Sequence, residues 1–170
     1  MGAMNFDISD DLKKQARSPH NLFVLNVFLF NLLMTPAAIV LDVGMIALLI
    51  PPLCSLSVIA YIYIRSKKET IWFVDMHWRL AFRRCQWLMA GYGISAMLVL
   101  IAWLLSLTTA DAKMAEIMFT AISRVAILPT LLAVMITVVL EAGGFQLINH
   151  GEVPDKLVEE YPPPDPIEQP

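Results

Sequence analysis

The stretch Arg65–Arg84, RSKKETIWFVDMHWRLAFRR, decides how the rest of the chain is read. Six of the twelve Lys and Arg residues lie in it, between two runs that are almost entirely apolar. Short cytoplasmic loops of membrane proteins accumulate Lys and Arg, and flanking apolar segments of about 20 residues are long enough to span the hydrocarbon core. The stretch is therefore expected on the cytoplasmic side, and it orients every segment around it.

Working outward, the run before it contains Met45–Ile64 and the run after it Gln86–Leu107, and both read as spans. Before Met45 stands a further apolar run, Asn21–Leu41, and after Leu107 another, Met114–Leu140. The expected fold is all-α: a four-helix transmembrane domain over residues 1–148, with spans at about 21–41, 45–64, 86–107 and 114–140. An amphipathic helix is expected at the cytoplasmic face between the second and third spans. Ten of the twelve cations fall in segments assigned inside, Lys113 falls outside and Arg124 within a span, so both termini are placed in the cytoplasm. Residues 149–170, ending YPPPDPIEQP, read as an acidic, proline-rich tail of extended chain without a core of its own.

Composition agrees. The chain is 58% apolar and 16% charged with a mean hydropathy of +0.65, against about a quarter charged for a soluble domain. The first apolar run is too long for a cleaved leader and lacks a small-residue cleavage site, and Phe6 stands where a myristoylation signal has Ser or Thr. A net charge of −3 argues against nucleic acid as a partner. The lipid bilayer and other membrane subunits are the expected partners, with a homo-oligomer as the alternative assembly.

Within this frame particular residues stand out. Asn26 and Asn31 put amides in the first span, where each is expected to hydrogen-bond a neighbouring helix. Gly91 and Ser95 form a small-xxx-small step in the third span, which permits close helix approach. Pro51 and Pro52 are expected to kink the second span. In the central stretch, Asp75 and Arg79 are spaced for an i,i+4 ion pair. Trp72 and Trp78 are expected to anchor at headgroup depth, with Arg83 and Arg84 reaching lipid phosphates. Gly143 and Gly144 are read as the end of the fourth helix. Arg124 lies deep in the fourth span, and a charge there needs a partner of opposite sign, so it is paired with Asp42 as a candidate intramembrane ion pair.

No catalytic or cofactor motif is found. His20, His77 and His150 are far apart in sequence, Cys54 and Cys85 form no CxxC, and GxSxG, HExxH and phosphate-loop signatures are absent. The reading is of no catalytic, cofactor or metal residue: a non-catalytic subunit or assembly factor of a larger membrane complex of secretion, envelope or respiratory type, in a bacterial inner membrane. The alternative is a small homo-oligomeric channel or carrier with Arg124 in its pathway.

Overall fold

The computed structural model describes residues 2–41, 49–68 and 70–164. It is mostly helical. A short strand β1 (Ala3–Asn5) leads into α1 (Asp10–Asn26), which runs through a π-helical segment (Val27–Met34) into α2 (Thr35–Val40). Then come α3 (Ile50–Ser66), α4 (Trp72–Thr108), α5 (Ala112–Val125) and α6 (Leu128–His150). Strand β2 (Glu152–Pro154) and helix α7 (Asp155–Glu160) close the described chain.

Three helical stretches are long and apolar enough to cross a membrane: Asp10–Ala38, Trp72–Thr108 and Ala112–His150. The second expected span is shorter, because α3 has 17 residues and begins at Ile50. Pro51 and Pro52 do not kink it. They occupy its first turn, where the backbone N–H that proline lacks has no intrahelical acceptor in any case.

The chain forms two compact units. One comprises residues 1–85 and 138–170, the other 86–137. In the first, α1 buries Leu12, Ala16, Pro19, His20, Phe23 and Asn26, a stripe repeating every three or four residues. The π-helical segment follows where Pro36 approaches. A proline crowds the carbonyl one turn before it and offers no N–H, and a wider turn relieves both; the Thr35 N–H and hydroxyl go to the Phe30 carbonyl.

The amphipathic segment after Arg65 is not a separate surface helix. It is the first third of α4, whose 37 residues extend about 55 Å at 1.5 Å per residue. Phe73 to Trp78 are all buried within the first unit. The tail is also more structured than a coreless extended chain. Strand β2 pairs antiparallel with β1, Met4 opposite Val153, and α7 buries Leu157 and Val158. What composition hides is that Val153, Leu157 and Val158 supply enough apolar surface to dock, while the run of three prolines begins only at Pro162.

In the second unit α4 and α6 approach closely at Gly91. A Cβ there would lie 2.5 Å from Ala133 Cβ, and Ser95 Oγ meets Thr130 Oγ1 at 2.8 Å. The expected fourth span is broken at Ala126–Ile127, between α5 and α6, just ahead of Pro129, a residue that cannot continue a helix unperturbed.

Candidate functional site: a buried His–His–Glu–Arg cluster

Four ionisable side chains far apart in sequence meet inside the first unit. His20 comes from α1, His77 and Arg84 from α4, and Glu141 from α6. His77 and Arg84 are seven residues apart, so two helical turns place them on one face. On α6, Glu141, Phe145 and Ile148 recur at helical spacing. His20 occupies the position on the α1 stripe that an aliphatic residue would otherwise fill.

The geometry is specific. His20 Nδ1 lies 2.6 Å from Glu141 Oε2, and Arg84 Nη1 donates to Glu141 Oε1 at 3.2 Å. The other nitrogen of His20, Nε2, is 3.2 Å from His77 Nδ1. Thus both carboxylate oxygens and both His20 nitrogens are engaged. The cluster is buried: His20 is 0% exposed, His77 and Glu141 1% each, and Arg84 9%. Phe145 packs tilted against His20 and Phe73 edge-on against His77.

Hydrogen positions follow from the contacts. A carboxylate only accepts, so His20 Nδ1 carries the proton it shares with Glu141. Glu141 thus faces His20 with one oxygen and Arg84 with the other, and its carboxylate opposes the guanidinium charge.

Gly144 makes the arrangement possible. A Cβ at this position would fall 2.1 Å from Arg84 Nη1 and 2.8 Å from His20 Nδ1. Gly143–Gly144 therefore does not end α6, which continues to His150. It opens a side-chain-free channel through which the guanidinium reaches Glu141. The helix ends instead before Gly151, whose φ of +69° is the left-handed conformation glycine tolerates.

Other expected roles change in the same region. Arg84 is turned inward to Glu141, and Arg83 pairs with Glu160 of α7. Asp75 pairs not with Arg79 but with Arg65 at 3.3 Å, and accepts from the Thr70 hydroxyl at 2.8 Å. Arg79 stacks over the Tyr161 ring at 3.9 Å. Trp78 is buried against Tyr61 with Arg65 over its face, and so is no headgroup anchor. Trp72 donates from Nε1 to the Tyr161 carbonyl at 2.9 Å and packs edge-on with Phe6. In each case the partner lies on a closing C-terminal segment or a neighbouring helix, which local sequence does not reveal.

Asn26 is buried, but neither its amide nitrogen nor its oxygen finds a partner among the described residues, and Asn31 lies half-buried in the π-helical segment. Asp42 lies outside the described residues. Arg124 is exposed and lines a shallow groove of about 380 Å³ with Lys113, Glu116 and Thr120. No family model, curated protein or solved structure matches the chain.

Proposed function

We propose that this chain is a non-catalytic integral membrane subunit or assembly factor of a larger membrane complex, lying in a bacterial inner membrane with both termini in the cytoplasm. The reading is supported above all by the clasp built on the base of α4. Strands β1 and β2, α7 and Tyr161 are held there by Trp72, Arg79 and Arg83, and the chain leaves the clasp as Pro162–Pro163–Pro164. A polyproline segment is stiff before binding and is taken up by aromatic-lined grooves at low entropic cost. A fold that anchors such a segment next to the bilayer suits it to recruit another chain. The His20–Glu141–Arg84 linkage ties α1, α4 and α6 together beneath the clasp and gives it a firm base.

The test is purification of the tagged full chain from native membranes in mild detergent. Foreign chains in fixed stoichiometry are expected, and they should be lost when residues 162–170 are removed. A lone, homogeneous species from the native host would overturn the proposal. The orientation is checked separately with single cysteines near Arg79 and near Lys113, which should be labelled from opposite sides.

A further inference from the structure

Most of the cations that the central stretch concentrates already have partners within the protein. Arg65, Arg83 and Arg84 are ion-paired, Arg79 lies on Tyr161, and Lys67 sits over the Tyr63 ring at 4.3 Å. The contrast is the start of α1. Lys13, Lys14 and Arg17 share one groove of about 410 Å³ with Asn149 and a single carboxylate, Asp10, and none of the three cations forms an ion pair among the described residues.

The groove is shaped to hold something negative. Arg17 Nη2 donates to Asn149 Oδ1 at 2.7 Å, which fixes the guanidinium across the gap between α1 and the end of α6. Lys13 is half-buried, its stem running beside Gly151, so its ammonium is held at the rim and does not sweep freely. Depth matters as well. Arg17 lies four residues ahead of the apolar run that begins at Asn21, about 6 Å along the helix, and Lys13 about 12 Å. The headgroup layer is about 5–8 Å thick on each side, so on this reading Arg17 lies within it and the two lysines stand at its outer edge.

We infer that the Lys13–Lys14–Arg17–Asn149 groove is a binding site for the phosphate of an anionic phospholipid headgroup. This rests on the reading of α1 as entering the bilayer near Asn21. The guanidinium supplies directed donors to phosphate oxygens, and the two ammonium groups supply charge. The clustered charge makes the site selective for anionic over zwitterionic lipid.

The full chain, delipidated in detergent, is offered phosphatidylglycerol and phosphatidylcholine in equal amounts, and retained lipid is read by native mass spectrometry. Phosphatidylglycerol is expected in excess by roughly tenfold, and the triple variant Lys13→Gln/Lys14→Gln/Arg17→Gln should abolish that excess. The double variant Lys67→Gln/Lys68→Gln, equally surface-directed, should keep it. Equal uptake of both lipids by the wild type, or an excess that survives in the triple variant, overturns the inference. Displacement of the lipid by millimolar inorganic phosphate would also overturn it, by assigning the groove to a free phosphate compound. Release of the chain from native membranes by alkaline carbonate would instead strike at the membrane reading itself. A chain that stays embedded but shows no lipid preference sinks only the headgroup site.

Discussion

Replacing Glu141 by Gln leaves Arg84 charged in a site where its side chain is 10% exposed and that of Glu141 1%. The substitution keeps size and shape, so packing is not the variable. What changes is the charge balance and the donor count: a Gln nitrogen must face either His20 Nδ1–H or the guanidinium, donor against donor. Removing one member of a buried ion pair costs about 3–5 kcal/mol, chiefly through the charge left behind. For a chain of this length about 1 kcal/mol moves the melting temperature by ~2–4 °C, so a fall on the order of 10 °C is expected.

Cys85 offers the readout, since it is fully buried one residue from Arg84 and reacts with a fluorogenic maleimide only when the unit opens. A Cys54→Ser background removes the other thiol, which is half-buried. Glu141→Leu combined with Arg84→Met should recover half or more of the loss, because removing both charges ends the imbalance. The remaining deficit is the unbonded His20 N–H, about 1–3 kcal/mol. A Glu141→Gln protein melting within about 2 °C of wild type, or a double variant no better than the single, would refute the account of this cluster as a mutually neutralised unit.

Two glycine pairs test the close approaches by the same thiol assay. Gly144→Ala must displace Arg84 or His20 and is expected to destabilise by about 1–3 kcal/mol, whereas Gly143→Ala, with open space around it, should be neutral or gain up to about 1 kcal/mol. Gly91→Ala drives a methyl into Ala133 and should likewise lower the melting temperature, while Gly93→Ala, which meets nothing, should not. Acid should loosen the C-terminal clasp. Hydrogen bonds from the Tyr161 side chain and from Arg83 hold the Glu160 carboxyl below its ordinary range, so its contribution is complete above the unfolded value of about 4.3 and is lost as pH falls through the folded one. Limited proteolysis after Leu157 should therefore speed up at low pH, and Arg83→Gln should raise the rate near neutrality and flatten its pH dependence.

Much of the helical layout was legible because hydrocarbon leaves a long, low-noise signal in sequence. The apolar runs after Asn21, Gln86 and Met114 all appear inside helices long enough to cross a bilayer. The Gly91/Ser95 step also lies where two helices meet, since small residues at that spacing have few other uses in an apolar run. Failures cluster where polar residues bear on the reading. Segmentation at His20/Asn21, set by hydropathy, cut α1 in two and hid the stripe Leu12–Ala16–His20–Phe23, in which a histidine keeps helical register with core residues. Gly143–Gly144 looked like a terminus because a local reading cannot know that a guanidinium passes over it.

Those failures share a cause, and it bears on what the chain is for. Charged residues beside a span are ambiguous in sequence: they can meet water, lipid phosphate or each other, and the three outcomes differ by only a few kcal/mol. Here Arg84 finds Glu141 from a segment 57 residues away, and Arg83 finds Glu160 across 77. With those pairs formed, the inference drawn above assigns lipid contact to the Lys13–Lys14–Arg17 groove, while the proposed topology rests on the basic stretch. On the proposed reading, topology and lipid contact rest on different cations. The separation predicts that Arg83→Gln should loosen the clasp and leave lipid selectivity intact, while the triple Gln variant of the groove should do the reverse.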